Sequence, residues 1–356
     1  MGRVLVLEGP RTLRLREEDA PELRPREVLV RTLVSGISHG TELNLYRGSS
    51  AFADREFDRE LRAFVTPDPP HPTYPALLGY SLVGVVEAVG AEVTELAPGD
   101  LVHAGVPHRE QAVVDLDAAA RATYPLIRLP ATEPPPWALF VSLGAVALVA
   151  VHDANLKVGD HVAVFGLGAI GLMVVQMARL AGAARVTAVD PVAERRELAL
   201  ELGAHAAVDP PAGVAIKRAG RGVDAAIETS GAPAGLHDAI AAAALGSRVV
   251  TVGFYQGGAE AVRLGEEWHH NRLDMVSSMG AWGAPHRAHP SWDRPRVMQT
   301  VVDLLAGSAV RVDGLPVRRF AFDQAAEAYS WLDANPNEAV KVALTYDGSN
   351  HAGGEQ

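Results

Sequence analysis

The chain has no cysteine among its 356 residues. That excludes disulfides, a thiol nucleophile, iron–sulfur ligation and every zinc site built on thiolates. Positive charge is in short supply: 32 Lys+Arg against 43 Asp+Glu leave a formal net charge of −11. Nucleic acid and anionic membrane both call for clustered cations, so neither is expected as a partner. Long apolar runs are missing as well. The longest, from Trp137 to Val151, follows Pro134-Pro135-Pro136. It falls short of the about 20 residues that a spanning helix needs and reads as a buried helix. Arg3, Glu8 and Arg11 interrupt any secretory h-region, and Val6 stands where a myristoylated Gly2 would want Ser or Thr. A soluble, cytoplasmic protein of two domains is the expectation.

What is present is a globular composition, 48% hydrophobic and 21% charged, enough to fill a full core. The first third reads as β. Residues 2–8, 26–34, 82–89 and 111–116 are rich in Val and Leu and bounded by Gly, Pro and charge. The stretch Arg47 to Pro75 stands apart. Its charged part, ADREFDRELR, is read as a short helix and its Pro-rich end as an extended loop.

From Gly159 the pattern alternates. Strands are expected at 161–165, 185–189, 223–227, 248–252 and 273–277, and helices at 169–180, 194–202 and 233–244. Val-rich strands alternating with helices imply an α/β unit whose parallel sheet is covered on both faces. Further on, helices are expected at 297–305 and 322–332 and a closing strand at 339–344. Residues 347–356 read as a polar tail.

Within the alternating region, Gly166-Leu167-Gly168-Ala169-Ile170-Gly171 fits G-x-G-x-x-G. It follows the apolar strand HVAVF and opens an apolar helix, the context in which the motif has a mechanism. Gly166 makes the tight turn, Gly168 lets a pyrophosphate approach the backbone, and Gly171 allows close helix–strand packing. Ala169 and Ile170 begin the helix whose N-terminus would receive the diphosphate. Asp190 closes the next strand, 190 − 171 = 19 residues past the last glycine. An acid there bonds the adenosine ribose and repels a 2′-phosphate, so NAD is expected over NADP. Arg195 and Arg196, one turn on, weaken that preference.

These features resemble the medium-chain dehydrogenase/reductase superfamily, which holds zinc alcohol, sorbitol and threonine dehydrogenases and zinc-free quinone and enoyl reductases. The resemblance runs through Gly84-x-Val86, Val89-Gly90, Val93, Gly99-Asp100-x-Val102, Leu156-Lys157-Val158-Gly159-Asp160, the glycine fingerprint and Glu201-Leu202-Gly203-Ala204. It implies a GroES-like, β-rich catalytic domain at 1–142 and 284–356, and a Rossmann doubly wound NAD-binding domain at 143–283. It also implies a homodimer or homotetramer.

The departures concern zinc. Where zinc-dependent members have a ligand segment like C-G-T-D, this chain has Ser35-Gly36-Ile37-Ser38-His39-Gly40-Thr41-Glu42. Where they have Gly-His-Glu, it has Gly79-Tyr80-Ser81. The third ligand position falls near Gly144-Ala145, and the structural-zinc lobe is missing. Aligned on Gly-Thr-acid, His39 falls at the first ligand position; aligned on Ser-Gly-Ile, Ser38 does. One potential ligand, His39, does not make a zinc site, so no metal is expected. His71, His103, His108, His152, His269 and His270 show no ligand spacing that completes one.

Without zinc, protein donors must stabilise an alkoxide. By the resemblance, Tyr80 takes the position of the zinc-binding His beside the nicotinamide. There a phenol of lowered pKa would serve as general acid/base. His39 falls beside it, Thr41 at a proton-relay hydroxyl, and Glu42 at an acid that orients His39 or Tyr80. Each has an alternative: Tyr80 as a packing residue, His39 as a diphosphate contact, Glu42 as structural. Trp268, His269 and His270 are read as lining either the substrate site or a subunit interface, and Trp282 and Trp292 as core rather than substrate platform.

The expected function is a zinc-independent, NAD-dependent dehydrogenase. It would interconvert a secondary alcohol and a ketone, with a sugar, cyclitol or specialised-metabolite alcohol as substrate and partner. The alternatives are an NADPH-linked C=C reductase, which Asp190 disfavours, and a non-catalytic nucleotide-binding protein.

Overall fold

The computed structural model describes residues 2–19, 22–52, 55–68, 72–280, 286–287 and 290–346. His71, Trp282 and the 347–356 tail lie outside the described residues.

The chain forms two compact units, residues 1–142 with 316–356 and residues 143–315. The sequence reading put the second crossing at 283/284, whereas it falls at 315/316. The reason is packing. The helix Arg294–Ala306 buries Val297, Met298, Val301, Val302 and Leu305. Val301 sits so close to Gly144 that a Cβ there would lie 2.5 Å from Val301 Cγ1. Gln176 then holds the following segment, donating to Arg311 O at 2.9 Å and accepting from Arg311 N at 2.7 Å.

In the unit made from both chain ends, the main sheet runs Ile127–Arg128, Leu101–Ala104, Leu82–Val89, Glu27–Ile37, Lys341–Thr345, Val317–Ala321, with Gln111–Asp115 also on Glu27–Ile37. Alternation explains it. Val28 and Val30 are buried with Leu82, Val86 and Val102, while Arg31 points outward and pairs Glu87 at 2.8 Å. A second core gathers Leu5, Leu7, Ile37, Tyr329 and Leu344.

The charged segment after Arg47 is not a helix but a hairpin, Glu56–Asp58 against Ala63–Val65. Asp58 Oδ1 accepts from Glu60 N and Leu61 N, both at 2.8 Å, which folds a turn. Phe57 and Phe64 then meet across the pair, 5.3 Å apart.

The contiguous unit carries a parallel sheet of β1 (His161–Phe165), β2 (Arg185–Val189), β3 (Ala206–Val208), β4 (Val223–Glu228), β5 (Ala243–Thr251) and β6 (Asp274–Ser277). Their order is 3-2-1-4-5-6, every pair parallel. This is the doubly wound arrangement, with its switch point between β1 and β4. The helix expected to reach Ala244 ends at Ala242. Ala243 already pairs with Val223 in the sheet, and an alanine run carries no boundary signal of its own.

The long apolar segment Pro136–Asp153 meets the length and composition of a membrane span, yet 78% of it is buried inside the molecule. It is a 3-10 turn, Pro136–Phe140, leading into the helix Val141–Asp153.

Candidate active site

The glycine fingerprint lies where β1 passes into the helix α1 (Ala169–Leu180). Gly166 has φ +88°, which an L side chain rarely adopts. A Cβ on Gly171 would lie 1.9 Å from Gly166 O, so the helix approaches the turn as closely as backbones allow. At Gly168 a Cβ would meet nothing within 4 Å, leaving open space above the turn. No side chain caps α1, so its first N–H groups, beginning with Ala169 and half-buried Ile170, are available to an anion. The backbone is therefore shaped to receive a dinucleotide diphosphate.

Asp190, directly after β2, is buried beside this turn, 4% exposed. Its Oδ2 accepts from Leu167 N at 2.6 Å and its Oδ1 from Val192 N at 2.8 Å. The carboxylate is thus locked to the fingerprint. Arg196 donates to Asp190 O at 2.7 Å and pairs with Asp209 at 3.1 Å, so its charge already has an acid partner.

In the other unit, His39, Thr41 and Glu42 come from the turn and short helix (Thr41–Arg47) that follow the strand Glu27–Ile37. Tyr80 precedes the strand Leu82–Val89. Tyr80 stacks on Tyr124, ring centroids 5.1 Å apart and 10° from parallel. Its phenol is pushed well above the ordinary value by burial, by Tyr124 and by the charge of Glu42. The Ser38 and Thr41 hydroxyls act the other way. This corrects the expectation of a lowered phenol: Tyr80 is a neutral donor. Thr41 is exposed and His39 half-buried.

Glu42, expected to orient His39 or Tyr80, is tied instead to Ser38, Tyr329 and His108. It is 3% exposed and accepts from Ser38 N at 2.9 Å, from the Tyr329 hydroxyl and from His108 Nε2 at 3.0 Å. His108 Nδ1 meets Ser35 Oγ at 2.7 Å, and Ser35 Oγ meets the Tyr346 hydroxyl at 2.9 Å. Burial alone would raise the Glu42 carboxyl. His108, by charge and hydrogen bond, together with Tyr329 and the Ser38 amide, outweighs it and holds the group below its ordinary value. Through Ser38 N, Glu42 fixes the turn that carries His39. Its partner Tyr329, and Tyr346 at the far end of the chain through His108 and Ser35, were not singled out from the sequence, and His108 was noted only among the histidines.

The remaining histidines and the lysine of this core are committed elsewhere. His103 is wholly buried, its Nε2 3.0 Å from Ser142 Oγ, and burial with nearby Lys341 pushes it down to about 3. Lys341, also buried, donates to Ile37 O at 3.0 Å; burial pushes it down to about 8 against the pull of Glu42. Among the described residues, no three His, Cys, Asp or Glu side chains are grouped to hold a metal ion. In the coenzyme unit, Trp268 packs on the core around Leu273, whereas His269 and His270 are exposed.

The doubly wound sheet and its glycine turn define a dinucleotide-binding unit. Residues 24–114 match the alcohol dehydrogenase GroES-like domain, and residues 169–294 match the zinc-binding dehydrogenase domain. The chain is 32% identical to D-guloside 3-dehydrogenase of Escherichia coli K12, over 96% of this chain and 99% of that one. It is 31% identical to (R,R)-butanediol dehydrogenase of Bacillus subtilis, over 70% and 76%. A putative zinc-binding dehydrogenase from Sinorhizobium meliloti, solved with NADP, superimposes with TM-score 0.75 at 26% identity, covering 97% of this chain and 99% of that one. The chain belongs to the zinc-type alcohol dehydrogenase-like medium-chain dehydrogenase/reductase superfamily, and it acts on CH–OH groups.

Proposed function

We propose that the protein is a zinc-independent, NAD(H)-linked dehydrogenase that interconverts a secondary alcohol and a ketone on a sugar or related polyol. The observation that carries zinc independence is the donor set. Where zinc-dependent relatives place cysteine and histidine ligands, the chain presents the Tyr80 phenol with the Ser38 and Thr41 hydroxyls around it, and His39 is the one imidazole in the segment. Neutral hydroxyls are poor zinc ligands and good hydrogen-bond donors. Asp190, locked at the end of β2, supports NAD, and the guloside and butanediol relatives support a vicinal hydroxyl in the substrate. A small molecule is accordingly the partner, with the net charge of −11 arguing against nucleic acid.

The bound coenzyme supplies hydride acceptance. The chain's own residues handle the oxygen and its proton. Tyr80, kept neutral, donates to the substrate oxygen and stabilises its developing charge. His39 accepts the hydroxyl proton and Thr41, exposed, passes it to water. Glu42 holds the Ser38 amide, so the turn bearing His39 is set before substrate arrives. The test is NADH formation over a panel of secondary alcohols and sugars, with elemental analysis and chelator on the same preparation. Turnover that survives chelation, at well under one zinc per chain, is expected. Stoichiometric zinc lost together with activity overturns the reading.

A further inference from the structure

The carboxyl ends of β1, β4 and β5 meet at an acid that this chemistry does not use. Glu228, the last residue of β4, is wholly buried. Its Oε1 accepts from Ser230 N at 2.7 Å and from the Ser230 hydroxyl. Its Oε2 accepts from the Tyr255 hydroxyl and, at 3.3 Å, from Gly231 N. This turn is pressed against the phosphate turn. A Cβ on Gly166 would lie 2.6 Å from Ser230 N, one on Gly171 would lie 2.8 Å from Thr229 Oγ1, and the Thr229 hydroxyl donates to Gly166 O at 2.7 Å. The loop after β5 closes on the same acid. A Cβ on Gly253 would lie 2.3 Å from Gly231 Cα and 2.9 Å from Glu228 Oε2. Tyr255, half-buried, reaches in from that loop. In a sheet of order 3-2-1-4-5-6, dinucleotides bind where the order reverses, here between β1 and β4. Glu228 therefore lies beside the place where a pyrophosphate settles on Gly166–Gly171.

We propose that Glu228 is a proton-accepting residue of the coenzyme site: binding of the pyrophosphate puts a proton on its carboxylate and reverses its hydrogen bond with Tyr255. The inference rests on the nicotinamide-coenzyme reading. A like charge brought close disfavours the ionised carboxyl. Burial already pushes Glu228 up, partly offset by the Ser230 and Tyr255 hydroxyls and the Ser230 and Gly231 amides. The groups facing it are Ser230 and Gly231 from its own turn, Gly235 from the helix Pro233–Ala242, and Gly253 and Tyr255 from the loop after β5. Of these only Tyr255 titrates, and burial and Glu228 push it well up, so it stays protonated. The balance is simple. One proton from solvent joins Glu228 Oε2, which becomes the donor. Tyr255 becomes the acceptor, and its own O–H turns outward to a phosphate or ribose oxygen.

Calorimetry of NADH binding in two buffers of different ionisation enthalpy counts the protons exchanged. Net uptake is expected in the wild type and none in Glu228→Gln. The wild-type Kd should rise with pH, by up to about tenfold per unit while the free carboxyl ionises. If the variant does not fold, infrared difference spectra of the wild type decide. A carboxylic-acid C=O band should appear on adding NADH and shift on isotopic labelling of glutamate. NADH bound with no proton exchanged, or uptake retained in Glu228→Gln, overturns this proposal and leaves the coenzyme reading standing. Failure to bind any nicotinamide coenzyme overturns both.

Discussion

Glu42 and Glu228 are two buried glutamates, one in each unit, exposed by 3% and 0%. Each accepts a tyrosine hydroxyl and a backbone amide. They nevertheless titrate in opposite directions, Glu42 below its ordinary value and Glu228 above. The number of donors does not explain this. Glu228 accepts two hydroxyls and two amides, and Glu42 only one of each plus an imidazole. The imidazole is the difference. His108 is the one partner able to carry charge, and against it the desolvation that wins at Glu228 loses at Glu42. One acid is therefore a fixed anion that sets a turn, and the other is poised to take a proton.

The largest effect expected is on the Glu42 side, where the anion helps keep the Tyr80 phenol neutral. Tyr80→Phe should lower kcat by about 10²–10⁴-fold, the range for losing an acid–base group, and leave NAD affinity unchanged. Steady-state NADH formation measures it. Retention of more than about a third of wild-type kcat would remove Tyr80 from the chemistry and leave His39 as candidate.

Removing the imidazole should make Glu42 resemble Glu228. His108→Ala leaves a buried carboxylate without its charge partner, at a cost of about 3–5 kcal/mol in urea unfolding. A cost below about 1 kcal/mol would mean that the tyrosine and amide suffice.

Asp190 sharpens the coenzyme side. Asp190→Ala should weaken NAD binding by about 1–3 kcal/mol and bring NADP up relative to it. Wild-type protein that binds NADPH more tightly than NADH contradicts the assignment.

The smallest effects are in the pH dependence of melting. Glu42 is depressed, so its stabilisation is present above its ordinary 4.5 and is lost as pH falls through the lowered value. Glu228 is raised, so its contribution is present below 4.5 and is lost as pH rises through the raised value. Glu42→Gln should flatten the acid limb of the melting-temperature profile, and Glu228→Gln the limb above it. Identical profiles for the two variants would erase the distinction.

The coenzyme turn was legible because its parts are local. Gly166, Gly168, Gly171 and Asp190 sit in one strand–helix–strand passage, and the apolar alternation around them fixes their context. The network around Glu42 has no such signal. His108 and Tyr329 lie 66 and 287 residues away from it, and only tertiary packing brings them to it. Glu228 left a faint trace, an acid ending the apolar strand VDAAIE just before a Gly-containing turn. The hairpin at Glu56–Val65 was misread because charge density hides a two-residue period, and because the Asp58 turn that forms it is a side-chain effect. Segment 284–315 was assigned to the wrong unit because its contacts, Val301 on Gly144 and Arg311 on Gln176, are tertiary.

The strand Lys341–Thr345 lies between Glu27–Ile37 and Val317–Ala321, with Val342 opposite Ile37. During synthesis this has a consequence. The first strands emerge early, yet the edge of Glu27–Ile37 from Val34 to Ile37 has no neighbour until some three hundred residues later. Meanwhile the contiguous unit, Leu143–Leu315, has every strand it needs and can close first. The nascent chain thus carries an open edge, Val34-Ser35-Gly36-Ile37, through most of translation, a site for mispairing that only the last strand covers. A chain released before Lys341 would hold a coenzyme unit with all its strands and a catalytic sheet lacking the strand that closes it.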